Sequence, residues 1–167
     1  MPLWEENGKV YNQSTAILRM IGRRHGLYVT ADSSEQENYL IDWAFETVAD
    51  WWALPEYRKW FADSHEDEQA VTDAADVFVN KFHKQIANKL AERGDSAQFI
   101  AGDRLTIADF AVLSAYLTFA VAGKQCKPTL ACKAKVEESP AVLAYIERVK
   151  AEIPQYMTDR AQYQYSI

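Results

Sequence analysis

Apolar positions recur at helical spacing along most of this chain, and only the first dozen residues follow another rhythm. From Ser14 to His25, the residues Ala16, Ile17, Met20 and Ile21 form one face of a helix, with Gly26 placed to stop it. A second helix is predicted from the N-cap-rich run Asp32-Ser33-Ser34-Glu35 to about Leu54, ended or kinked near Pro55. Tyr39, Leu40, Trp43, Ala44, Thr47, Val48, Trp51 and Trp52 make its apolar stripe, while Glu37, Glu46 and Asp50 lie off it. Six carboxylates between Asp63 and Asp76, with no Lys or Arg among them, read as a solvated loop and the acidic first turn of a third helix. That helix continues through Phe78, Phe82, Ile86 and Leu90 to a stop at Gly94.

The segment from Thr106 to Ala122 is apolar on nearly every side, so it is predicted to be a central, enclosed helix. Thr106 and Asp109 have the spacing of a capping box, each satisfying a backbone N–H of the other, with Leu105 and Phe110 as the hydrophobic staple. Both polar residues read as folding devices. A short helix around Thr129 to Glu137 follows, and Ser139-Pro140 opens another through Lys150. Its core face is Val142, Leu143, Ile146 and Val149, and Pro154 is expected to end it ahead of a tyrosine-rich tail without clear period. At the other end, Asn7-Gly8 between Leu3-Trp4 and Val10-Tyr11 predicts a β-hairpin. A lone hairpin needs a cover.

With 167 residues the chain is one compact unit, or one unit and a fragment of another. A net charge of −6, with a single small basic cluster at Arg19, Arg23, Arg24 and His25, argues against nucleic acid or an anionic membrane surface as partner. The pair Cys126 and Cys132 is neither a metal tetrad nor a disulfide framework, and points to a reducing compartment. The first residues do not read as a signal peptide, and no stretch reads as a membrane span. The expected location is the cytoplasm, or an organelle or assembly reached with a partner. No Ser-His-Asp or Cys-His arrangement is readable, and His25, His65 and His83 are expected on the surface.

Three strings together carry a family resemblance. The run Gly102-Asp103-Arg104-Leu105-Thr106-Ile107-Ala108-Asp109 resembles the capping-box opening of the central helix in cytosolic glutathione transferases. Gln13-Ser14-Thr15-Ala16-Ile17-Leu18-Arg19, following Pro2, is similar to the Gln-Ser helix start of the sigma-, mu-, pi- and alpha-like members. Ser139-Pro140-Ala141-Val142-Leu143-Ala144-Tyr145-Ile146 completes the order. The resemblance implies a mainly α fold: the family's all-helical C-terminal bundle over 33–167, preceded over 1–28 by a hairpin and helix of a thioredoxin-like domain. It further implies conjugation of glutathione to electrophiles, no cofactor, and a homodimer or larger assembly.

By the same resemblance Met1 and Pro2 would pair with the cysteinyl part of glutathione, Gln13 and Ser14 would bind its γ-glutamyl carboxylate, and Asp50 would reach its amino group across a dimer interface. For Gln13 and Ser14 the competing reading is a simple N-cap pair, and for Asp50 a solvated helix carboxylate. Trp51, Trp52 and Tyr57 line the hydrophobic co-substrate pocket or pack the core. The family places a strand-helix-strand segment ahead of Pro2, and that segment carries the Tyr, Ser or Cys that stabilises the thiolate. No catalytic residue is therefore assigned here. Three functions follow: part of a transferase inactive on its own, a non-catalytic interaction subunit of a larger assembly, or a carrier of glutathione or apolar ligands.

Overall fold

A computed structural model describes residues 3–56, 66–94, 98–121 and 126–162. Strands β1 (Trp4–Glu6) and β2 (Lys9–Tyr11) form the predicted antiparallel hairpin, with Glu6 opposite Lys9. Asn7 and Gly8 both take positive φ, the backbone a two-residue hairpin turn demands. Leu3 and Val10 are 67% and 63% exposed, so the described residues do not supply the cover.

Helices α1 (Ser14–Arg24), α2 (Glu35–Ala53), α3 (Glu68–Phe78), α4 (Lys84–Arg93), α5 (Ile107–Tyr116), α6 (Lys127–Glu137), α7 (Pro140–Glu152) and α8 (Pro154–Gln162) make up the bundle. The expected third helix is α3 and α4 joined by a π-helical turn, Val79–His83, and a second such turn, Leu117–Val121, extends α5. The mainly α bundle behind a hairpin is therefore as the sequence reads. α5 lies at its centre, packed against α2 and α7, with Trp51, Phe78, Phe82, Tyr116 and Phe119 as the aromatic heart of the core. Edge-to-face contacts of Trp51 with Phe78 at 5.1 Å and with Phe119 at 5.4 Å lock α2 to the helices beneath.

Several expectations shift. α1 meets the core through Leu18 and the buried Gly22, whereas Ala16, Ile17, Met20 and Ile21 are exposed or half-buried on its other sides. The stripe of α2 holds at Leu40, Ala44, Thr47, Val48 and Trp51 and widens to take in the buried Ile41 and Phe45, while Tyr39 is 60% exposed. Continuous aromatic and aliphatic residues on several faces of one helix leave periodicity unable to choose between them. His83 is buried rather than at the surface, because both it and Phe82 turn inward within the π-helical turn. Ser139 precedes α7 but its hydroxyl makes no capping bond; it lies 3.0 Å from His83 Nε2. Pro154 starts α8 as well as following α7, being the first residue of a helix that needs no N–H there.

The capping box forms, and it does more than cap. Asp109 Oδ2 accepts the Thr106 N–H at 2.8 Å and the Thr106 hydroxyl at 3.0 Å. Its other oxygen accepts the Ile100 N–H and the Tyr145 hydroxyl, each at 2.9 Å. One buried carboxylate thus ties the loop before α5, the start of α5 and the middle of α7.

Candidate functional site

Gln13 and Ser14 stand where β2 gives way to α1, at the exposed N-terminal end of that helix. The position of α1 is fixed at its far end. Ile107 N–H donates to the Leu27 carbonyl at 2.8 Å, and Arg104 donates to the Gly26 and Tyr28 carbonyls while pairing with Glu37. Midway, the Arg19 guanidinium reaches Asp42 and Glu46 of α2 and lies 5.0 Å from the Phe45 ring centroid. The Tyr28 hydroxyl donates to the same Asp42 at 2.8 Å.

Close approach at Gly22 completes the anchoring. A Cβ there would come within 2.7 Å of Ile107 Cγ2 and 3.1 Å of Tyr28 Cβ, both on buried residues. Overpacking of this kind costs about 1–3 kcal/mol, more than the ~1 kcal/mol gained by removing a helical glycine. Gly22→Val, with a branched side chain, is expected to lower the urea midpoint and to loosen α1; an unchanged midpoint refutes this packing.

Gln13 itself holds φ +70°, a left-handed conformation that glutamine rarely adopts. Backbone strain of about 1–3 kcal/mol is typical of such positions and gathers at binding sites. The Gln13 side chain makes no capping bond to α1, which removes the plain N-cap reading for this residue. The first N–H groups of α1 have no partner within the helix and face the same end as the positive dipole. This is a suitable environment for a carboxylate.

From this end runs a groove of about 610 Å³ between α1, α2 and α5, with Gln13, Ser14 and Thr15 at its polar mouth and Phe45, Val48 and Trp52 along its apolar wall. Through Leu18, Ala111 and Ser114 it adjoins a second, mostly apolar cavity of about 430 Å³ that reaches Ile153 and Tyr156. Among the predicted residues the structure brings together Gln13, Ser14 and Trp52, while Trp51 belongs to the core. Asp50 is exposed on α2 and does not line this groove. Met1, Pro2 and Tyr57 lie outside the described residues.

Sequence reading missed Thr15, Leu18, Phe45, Ala111 and Ser114 as groove residues. Ala111 and Ser114, three apart on α5, open space along one side, but Ala108 and Ala115 are as small and face the core, so size alone did not mark them. The tyrosines with displaced pKa are already engaged inside the protein. Tyr28 is pushed up by burial and by its bond to Asp42, Tyr145 by burial and by Asp109, and Tyr116 by burial. None of these hydroxyls is left over to hold a thiolate in the groove.

The family described as "Glutathione S-transferase, C-terminal domain" matches residues 52–160. A Xenopus laevis relative, "Glutathione S-transferase P 1", is 23% identical, the match covering 97% of this chain and 69% of that protein. Among solved structures, the glutathione S-transferase from Ascaris lumbricoides superposes with a TM-score of 0.71 at 22% identity, covering 99% of this chain and 76% of that one. The rat protein "hPGDS complexed with a quinoline" superposes with a TM-score of 0.70 at 21% identity, over 97% and 72% of the two chains. At that identity the structural likeness speaks for the fold. No helix among the described residues is long and apolar enough to cross a membrane.

Proposed function

The chain belongs to the glutathione S-transferase family, and on that premise we propose that it binds the γ-glutamyl end of glutathione at Gln13 and Ser14 without activating the thiol itself. The observation that carries this reading is the left-handed Gln13 beside an open groove, its side chain unused by the helix it precedes. A carboxylate placed there meets the amide of Gln13, the hydroxyl of Ser14 and the first N–H groups of α1. Apolar walls at Phe45, Val48 and Trp52 then receive the part of a ligand that leads away from the peptide. Asp50 is assigned to the glutathione amino group in a homodimer, and Met1 and Pro2 to its cysteinyl backbone. We divide the chain into a thioredoxin-like portion over 1–28 and the helical domain over 33–167, and place it in the cytoplasm, where Cys126 and Cys132 remain free thiols.

Calorimetric titration with glutathione tests the site. Gln13→Ala is expected to weaken binding about tenfold, the worth of one charge-assisted hydrogen bond. Indifference to the substitution removes the case for this site. Conjugation to an aryl halide by these residues alone is expected to stay at the uncatalysed rate, because the Tyr28, Tyr116 and Tyr145 hydroxyls are bonded inside the protein and away from the groove.

A second reading, a non-catalytic subunit of a larger assembly, is favoured by the uncovered hairpin with exposed Leu3, Trp4 and Val10. Size-exclusion chromatography decides it: a stable, well-behaved monomer counts against this reading.

A further inference from the structure

His83 is the last residue of the π-helical turn between α3 and α4, and it is 4% exposed. Its Nδ1 lies 3.1 Å from the Tyr116 hydroxyl on α5, and its Nε2 lies 3.0 Å from the Ser139 hydroxyl at the start of α7. A helix-to-helix contact between α4 and α7 runs beside this chain of three polar groups. π-helical turns are costly interruptions that recur at functional positions, and here the turn is what brings a histidine into the core. We propose that the Tyr116–His83–Ser139 chain is an acid-sensitive joint, holding α7 to the long α3–α4 helix only while His83 is neutral.

The hydrogen-bond count explains why. A neutral imidazole offers one donor and one acceptor, which one hydroxyl donating and the other accepting satisfy in full. After protonation both ring nitrogens donate, so Tyr116 and Ser139 must both accept. Whichever of the two donates to the neutral ring must then turn its proton toward a new acceptor, and Tyr116, whose burial keeps it a phenol, keeps its own proton to place inside the core. An unpaired buried donor and an uncompensated buried cation are both unfavourable.

Among the described residues, neither group bonded to the ring offsets the new charge. α5 presents Tyr116 and the start of α7 presents Ser139, both neutral. Further along, Asp109 of α5 and Tyr145 of α7 are bonded to one another. The charge that acts on His83 is the Lys84 ammonium of its own helix, which opposes a second cation. Burial and then Lys84 push the imidazole below its ordinary value of 6.5. The unfolded chain therefore takes up the proton first. The joint is at full strength above that ordinary value and weakens as pH falls through the lower folded one.

Urea unfolding of the wild-type chain and of His83→Gln, followed from about pH 7.5 to about pH 4.5, tests the joint. Glutamine can donate and accept at the same place but does not titrate. The wild-type midpoint should fall toward, or below, that of the variant as the solution is acidified. A difference between the two midpoints that stays constant with pH overturns the proposal. Should His83→Gln fail to fold, NMR titration of the wild-type His83 ring serves instead. Protonation below the ordinary range, together with loss of amide protection in α7, is the expected result; protonation at or above that range with α7 still protected overturns it.

Discussion

Asp109→Ala is expected to cost roughly 3–5 kcal/mol, since it strands several buried donors at once. The loss is comparable with the whole stability of many domains, about 5–15 kcal/mol. Four donors converge on this carboxylate, from the Ile100 and Thr106 backbone and from the Thr106 and Tyr145 hydroxyls. Burial pushes the carboxyl above the ordinary carboxylate range, and the donors pull the other way. The residue is therefore expensive to bury and far more expensive to remove. Tyr145→Phe takes away one donor and leaves the other three in place, and should cost about 1 kcal/mol. Urea midpoints of the two variants and of the double variant measure the coupling. If Asp109→Ala costs no more than an exposed helix cap, about 1 kcal/mol, the carboxylate is a local cap and not a tie between α5 and α7.

The cap, the central helix and the hairpin were legible because each is written in neighbouring residues. Thr106 and Asp109 need only each other's backbone, and Asn7-Gly8 needs only a turn with positive φ. Long-range partners were not legible. Nothing beside Asp109 in the chain announces Tyr145, thirty-six positions away, or beside His83 announces Ser139, fifty-six away. His83 was misplaced for the same reason: an α-helical count puts it off the Phe78–Phe82–Ile86 stripe, and the π-helical turn puts it inside. In the candidate site the Gln13-Ser14 pair stood out by resemblance, but its left-handed backbone and the groove beside it depend on where α1 docks. That docking is set by Gly22, Arg104 and Leu27, whose importance comes from what they touch.

Trp51→Ala and Trp52→Ala should separate core from groove more sharply than any other adjacent pair in the chain. Trp51 is 1% exposed and lies edge-to-face against both Phe78 and Phe119, so its truncation empties the centre of the bundle. Loss of a buried tryptophan costs about 3–5 kcal/mol, and Trp51→Ala should be largely unfolded or unfold at much lower urea. Trp52 is 38% exposed, touches Phe119 at 5.0 Å and forms the apolar wall of the groove beside Gln13 and Ser14. Its truncation removes the edge contact with Phe119 and a partly solvated surface, an effect of about 1 kcal/mol. The fold should survive, while a fluorescent apolar probe in the groove binds more weakly. Equal destabilisation by the two substitutions would mean that Trp52 also belongs to the core and that the groove closes in solution. A stable Trp52→Ala chain with unchanged probe binding would move the ligand elsewhere. The contrast works because adjacent residues on a helix point about a hundred degrees apart. One tryptophan is thereby committed to holding the bundle together, and its neighbour is left to meet whatever enters from the end marked by Gln13.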